Sequence, residues 1–263
     1  MPYETWKGAG LLGYVTFAIR ALLLVLLLLF CVPFYYIWRM LRLPNPWPRW
    51  FLRAVSYICG ARIRKMGTPI RRDVVLLANH LSWFDIPMLG GVNGTSFVSK
   101  EEIAHWPIVG WLCRLNNTIF ISRQNRMGVA DQINQLREAL EECWAVTIFP
   151  EGTTTDGTML LPFKAPLLAA LNPPPPGLLV QPVYIDLGKY RGDVSWIGDE
   201  TAPQNAWRLL SRPGSFKVDI HYLDPFDPRK YSDRKAIVAE ARTRIQAALD
   251  ASLSASQVVV PGV

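Results

Sequence analysis

The stretch V-V-L-L-A-N-H-L-S-W-F-D-I-P, Val74 to Pro87, decides how the rest of the chain is read. Val74 to Ala78 is a short, unbroken apolar run, the pattern of a strand buried on both faces. Ser82 with Asp85 three residues later forms an S-x-x-D capping signature, and I-P-M-L behind it opens a helix. A strand, a tight loop and a helix in direct succession are the elements of an α/β sheet domain. His80 falls on the loop between them.

Five residues along a continuous helix turn ~500°, which leaves two side chains ~140° apart around the axis. His80 and Asp85 therefore meet only if the chain turns between them. With Ser82 as the cap, Asp85 lies in the first helical turn and reaches back to the imidazole. In that geometry the carboxylate fixes one tautomer and leaves the other ring nitrogen as a base. Taken alone, the stretch is better read as a capping aspartate beside a satisfied loop histidine. The neighbouring segments reverse that balance.

Outward from this unit, strand-like runs recur at Arg62–Met66, Ser96–Ser99, Thr118–Ser122, Val146–Phe149, Leu179–Ile185 and Lys217–Tyr222. Val129, Ile133, Leu136, Leu140 and Cys143 step by three and four, so a helix with one sheet-facing side is expected there. A last helix, capped by Ser232, carries Ile237, Ala241, Ile245 and Leu249, and a frayed tail is expected beyond Asp250. The expected fold is α/β, a mixed, mostly parallel sheet flanked by helices. An N-terminal pair of membrane-associated helices precedes it. The expected boundaries are membrane-anchoring helices over 1–58, the α/β domain over 59–250 and a flexible tail over 251–263.

The membrane expectation rests on Ala21 to Trp38, an uncharged run between Arg20 and Arg39. As a helix it reaches ~27 Å, just short of the ~30 Å hydrocarbon core. Extending it back through Leu11 would bury Arg20. After the breaker L-P-N-P-W-P, Trp47, Trp50, Phe51, Ala54, Val55 and Ile58 recur at helical spacing, with Arg49 and Arg53 on the other side. That is an amphipathic helix suited to the membrane interface.

The formal net charge of +7 is unevenly placed, with eleven Lys and Arg against two acids up to His80. Basic residues beside an aromatic-flanked apolar helix meet anionic headgroups more simply than nucleic acid, so no nucleic-acid partner is expected. By the same bias the segment after the helix is expected on the cytoplasmic side of the membrane. The four cysteines, Cys31, Cys59, Cys113 and Cys143, show no paired short spacing, so neither a zinc site nor a disulfide framework is indicated.

Two further segments carry chemistry. F-P-E-G-T-T-T-D-G-T, Phe149 to Thr158, combines a carboxylate, two glycines and a row of hydroxyls at the end of a β run. Such a loop lets backbone N–H groups approach an anion. Thr158 stands where a phosphate-binding P-loop requires lysine, so it is not that motif. Lys100 and Arg123 each close a strand-like run, where two cations could clamp a phosphate. There is no G-x-S-x-G elbow and no H-E-x-x-H motif.

N-H-L-S-W-F-D followed by F-P-E-G-T about seventy residues later resembles the glycerolipid acyltransferase family, whose signature is an H-x4-D motif and an F-P-E-G-T block. F-I-S-R resembles that family's second block, V-Q-P-V-Y-I its fourth, and P-I-V-G-W lies where the family has a P-x-x-G-W segment. The register extends from Arg72 to Ile185.

The resemblance implies an acyltransferase that moves a fatty acyl group from acyl-CoA or acyl-carrier protein to the hydroxyl of a lysophospholipid. Lysophosphatidate is the leading acceptor, giving phosphatidate, and lyso-ornithine lipid the near alternative. A non-catalytic membrane lipid-binding protein is the reading from another class. The resemblance makes His80 the general base and Asp85 its orienting partner. Lys100 and Arg123 would hold the acceptor phosphate, with Glu151, Gly152 and Thr153 in the acceptor-side loop. It implies no metal and no prosthetic group. Two residues depart from the pattern: Asn117 stands where the second block has glycine, and Thr154 where phosphatidate-forming members carry arginine. Lys164 is a candidate replacement charge.

Overall fold

The computed structural model describes residues 10–121, 134, 138, 145–165, 168, 171 and 173–258. Seven strands form one sheet: β1 (Ala61–Met66), β2 (Val74–Ala78), β3 (Ser96–Lys100), β4 (Ile119–Ile121), β5 (Ala145–Ile148), β6 (Leu179–Asp186) and β7 (Phe216–Tyr222). Their spatial order is β1-β7-β6-β2-β5-β3-β4. Every neighbouring pair is parallel except β6 with β7. The strands match the runs expected from the sequence to within a residue or two at each end.

β2 is fully buried because it is central and covered on both faces. Its side chains alternate between two cores. Val74, Leu76 and Ala78 join Met88, Leu89 and Phe97, while Val75 and Leu77 join Val146, Ile148, Ile237 and Ala241. A run apolar at every position is what a strand with two buried faces requires. Helix α3 (Asp85–Asn93) supplies the first cover. The second comes from the C-terminal helix (Arg234–Val258), in which Ile237, Ala241, Ile245 and Leu249 are buried as their spacing predicts.

At the N-terminus, α1 (Leu11–Met40) is one 30-residue helix, ~45 Å long at 1.5 Å per residue. It extends back past Arg20, and Arg20 is buried, but by protein. Its guanidinium donates to the carbonyls of Leu209, Leu210, Arg212 and Gly214 at 2.7–3.2 Å. Those carbonyls lie at and just beyond the C-terminal end of the helix Ala202–Ser211, where the backbone leaves acceptors without intrahelical donors. Arg20 thus pins the first third of α1 to the sheet domain, and Tyr14 and Phe17 add ring contacts with Trp207. The rest of α1 leaves Leu22, Leu26, Leu29, Phe30 and Ile37 exposed.

Helix α2 (Trp47–Ile58) returns antiparallel, with the Asn45 side chain accepting the Trp47 N–H at 3.1 Å. It packs on α3 through Gly90 and Gly91. A Cβ at Gly91 would lie 2.6 Å from the Arg53 Cα, and one at Gly90 would lie 2.4 Å from a Leu52 methyl. Helices α4 (Glu101–Ala104), α5 (Pro107–Leu115), α6 (Arg191–Val194), α7 (Ala202–Ser211) and α8 (Arg234–Val258) follow, with short 3-10 turns at Gly188–Tyr190 and Pro228–Lys230.

Three local expectations change. Regular helix in α3 begins at Asp85 rather than directly after Ser82, because Trp83 and Phe84 form a turn first. The cap of α8 is Asp233, whose Oδ1 accepts the Ala236 N–H at 2.9 Å, so Ser232 lies one residue outside it. The expected frayed tail is helical to Val258, held partly by a hydrogen bond from Ser252 to the Asp186 carboxylate. The helix expected over Val129–Cys143 lies outside the described residues, save for Asn134 and Glu138.

Candidate active site

His80 follows β2 by two residues, so it emerges at the C-terminal end of the central strand. That is where parallel α/β sheets present their binding crevice. Its loop is tied down on three sides. The Asn79 side chain accepts the Ile185 N–H at 2.7 Å and donates to the Ile185 carbonyl at 3.1 Å. The Thr155 N–H donates to the His80 carbonyl at 2.9 Å. The His80 N–H donates to Glu151 Oε1 at 3.0 Å.

The His80 ring meets Asp85 as the turn allows: Nδ1 to Oδ2 is 2.8 Å. The same oxygen accepts the Leu81 N–H at 2.6 Å and the Ser82 N–H at 2.9 Å. With the Asp85 N–H donating to the Ser82 carbonyl at 3.1 Å, the Ser82 contact closes the turn that precedes α3, so the turn and the pair use one carboxylate. Asp85 also lies in the first turn of α3, where the helix dipole favours a negative charge. A carboxylate accepting backbone N–H groups requires Nδ1 of the ring to be the donor, which leaves the Nε2 lone pair free. The Asp85 side chain is fully buried, whereas the His80 side chain is 19% exposed. The base thus faces outward and its partner inward. Phe149 stacks on the ring, centroids 4.1 Å apart, and Phe97 stacks behind Phe149.

Glu151 is 1% exposed and engages both oxygens within the protein, on the N–H groups of His80 and of Leu161 at 2.9 Å. Burial raises its pKa, and the two backbone hydrogen bonds oppose that rise. The structure therefore gives it a positioning geometry instead of a face presented to an acceptor. Gly152 has φ +70°, the conformation this turn needs and glycine supplies without strain. Thr153 is exposed beside it. Thr154 is turned inward, its hydroxyl donating to the Trp196 carbonyl at 2.5 Å.

Of the two expected cations, Lys100 lies exposed at the C-terminal end of β3, two strands or about 10 Å from β2. Arg123 lies outside the described residues. Lys164 is exposed, and its N–H donates to the Pro150 carbonyl at 2.8 Å. The fold thus brings His80, Asp85 and Glu151 into direct contact, with Gly152 and Thr153 adjoining. Sequence reading missed the Phe149 stack and the Asn79 clamp. The signal for both was present, since each residue directly follows a central strand.

A family model described as Acyltransferase matches residues 62–186, from β1 to the end of β6. The chain is 32% identical over 262 residues to a lyso-ornithine lipid O-acyltransferase of Brucella abortus, covering 92% of this chain and 97% of that one. It is 35% identical over 216 residues to a protein of the same name from Pseudomonas aeruginosa, covering 80% of each. It is 32% identical over 190 residues to a 1-acyl-sn-glycerol-3-phosphate acyltransferase of Neisseria meningitidis, covering 72% of this chain and 74% of that one. The crystal structure of a 1-acyl-sn-glycerophosphate acyltransferase from Thermotoga maritima shares the fold, with a TM-score of 0.59 at 24% identity over 89% of this chain and 96% of that one. With the matched segment spanning the strand ends, loops and helix that carry His80, Asp85 and Glu151, and a relative aligned over nearly its whole length, the chain belongs to the acyltransferase family.

Proposed function

We propose that the protein transfers a fatty acyl group to the free hydroxyl of a lysolipid at the membrane surface, with His80 as general base. The observation that carries this reading is the 2.8 Å contact from Nδ1 of a partly exposed histidine to a buried aspartate. That contact makes Nδ1 the donor and leaves Nε2 as the ring nitrogen available to take a proton.

An alcohol is a weak nucleophile near neutral pH, so its proton must leave as its oxygen attacks. Nε2 of His80 takes that proton while the hydroxyl oxygen attacks the thioester carbonyl of acyl-CoA or acyl-carrier protein. Asp85 stabilises the imidazolium that results. The tetrahedral intermediate collapses by expelling the thiolate, which recovers the proton from His80. No acyl-enzyme, metal or prosthetic group enters this sequence. The apolar helix α1 and the basic N-terminal third support catalysis at the cytoplasmic face of an inner membrane, with anionic lipid and not nucleic acid as the partner.

For the acceptor, Thr154 supports lyso-ornithine lipid. Its hydroxyl is committed to the Trp196 carbonyl and supplies no bidentate cation where phosphatidate-forming members of the family carry arginine. The relatives from Brucella and Pseudomonas bear that activity in their names. Lysophosphatidate is the second reading, supported by Lys100 on the catalytic side of the sheet and by the Neisseria relative.

Mass spectrometry of products from a panel of lysolipids with one acyl donor tests both. A two-chain ornithine lipid is expected, and phosphatidate as the sole product would transfer the assignment to lysophosphatidate. Binding of lysolipid with no thiol released from any donor would favour a non-catalytic lipid-binding protein.

A further inference from the structure

The parallel strands have two ends, and the chemistry described above occupies one. At the other end, where β2, β3 and β4 begin, the foot of the α1–α2 hairpin meets the sheet and leaves an open cavity of about 390 Å³. Arg49 of α2 and Arg71 and Arg72 of the β1–β2 loop line it, beside Tyr35, Trp50 and Asn117. No aspartate or glutamate lines it. None of the three arginines has an ion-pair or hydrogen-bond partner among the described residues.

Arg49 is the telling residue. Its side chain packs along Gly94, where an added Cβ would come within 3.1 Å of the Arg49 Cδ. Its Nε is buried with no acceptor. A buried guanidinium N–H without an acceptor is costly, and structures normally provide one. Here the surroundings do the reverse, since Arg71 and Arg53 lie close enough to repel the Arg49 charge. Arg49 as a whole is half-buried, and no carboxylate lines the cavity to meet its charge.

We infer that this cavity is a second anion site, separate from the His80 centre, that takes the phosphate of an anionic membrane lipid headgroup. Guanidinium forks match phosphate oxygens in geometry as well as charge. The flanking Tyr35 and Trp50 belong to the two helices with membrane character, and such rings lie at headgroup depth. Asn117 shapes the floor in a left-handed conformation at φ +53°, which asparagine tolerates better than other non-glycine residues. The inference rests on the membrane-surface reading of α1 and α2. Its consequence is that the protein is held by the headgroup at one end of the sheet while the opposite end works on the acceptor.

The test compares full-length protein binding to phosphatidylcholine vesicles with and without phosphatidylglycerol. The triple variant Arg49→Gln, Arg71→Gln, Arg72→Gln is expected to lose at least tenfold of the affinity gained from phosphatidylglycerol. Its binding to pure phosphatidylcholine and its acyl transfer in detergent should be unchanged. The single variant Arg49→Lys, which keeps the charge and loses the fork, should lose part of the gain.

A control with Lys217, Lys230 and Lys235 changed to Gln should keep the gain. An equal loss in that control would reduce the effect to general charge and overturn the site. Equal binding of wild-type protein to both vesicles would also overturn it, while leaving the membrane reading intact. Failure of wild-type protein to bind either vesicle would instead overturn the membrane reading. Calorimetric binding of inorganic phosphate, abolished by the triple substitution when the vesicle preference is not, would assign the site to a soluble phosphate and reject the lipid source.

Discussion

His80 is useful only because Asp85 is inaccessible. A fully buried carboxylate that accepts from His80 and from two backbone N–H groups cannot swing away, so the imidazole is held in one orientation. His80→Ala is expected to lower kcat at least a thousandfold, as removal of a general base does at the upper end of such effects. Asp85→Asn should cost about as much, because the amide can present an N–H to Nδ1 and so favour the wrong tautomer. Full turnover in His80→Ala would reject the mechanism.

Glu151 makes a different prediction. Glu151→Gln leaves one of two backbone N–H groups without its acceptor, so a loss of about 1–3 kcal/mol is expected in denaturant melts. The sign of its pH dependence follows from burial. Burial raises the folded-state pKa above the ordinary glutamate value, so the stability tied to its protonated form is full below that ordinary value and declines as pH rises through the folded pKa. The difference in stability between wild type and Glu151→Gln should therefore change across that acid-to-neutral window. A difference constant from pH 4 to 8 would show that Glu151 titrates as it does in the unfolded chain.

At the scale of elements, two contacts couple the N-terminal helices to the site. Gly90 and Gly91 let the α2 backbone approach α3, the helix whose first residue is Asp85. Gly91→Val would force a Cβ into the Arg53 backbone, so a loss of about 2–3 kcal/mol is expected, in the range for overpacking. Reduced turnover should accompany it as α3 shifts. Arg20 is the second coupling, meeting from within α1 the carbonyls at and just beyond the C-terminal end of α7. Arg20→Met removes those donors together, and about 3 kcal/mol of destabilisation is expected, along with faster proteolysis within Leu11–Arg20. Unchanged melting in this variant would mean that α1 is not anchored through Arg20.

For the whole molecule, charge and apolar surface are segregated. The apolar residues exposed along α1 are far more numerous than the scattered exposed side chains of a soluble protein. Trp50 extends that surface onto α2 and is 53% exposed. Trp50→Ala is expected to weaken partitioning into neutral vesicles about tenfold, with no change in detergent-solubilised turnover. Equal partitioning would place the membrane face elsewhere.

What the sequence determined by itself was local and periodic. The seven strands, the buried stripe of α8 and the apolar α1 were legible because alternation, helical spacing and length each reflect one physical requirement. His80 and Asp85 could be nominated as a pair only with the F-P-E-G-T block and its companions beside them, since the stretch alone reads as a cap and a loop histidine. Tertiary structure alone decided which backbone groups Glu151 and Arg20 serve, since His80 lies far from Glu151 in the chain and the Leu209–Gly214 carbonyls lie far from Arg20. It also showed that one Asp85 carboxylate holds both the turn before α3 and the His80 ring, and that Asp233, not Ser232, starts the last helix. Partnership between distant residues depends on how strands are ordered and helices laid across them. Residue type and spacing do not contain that order; packing creates it.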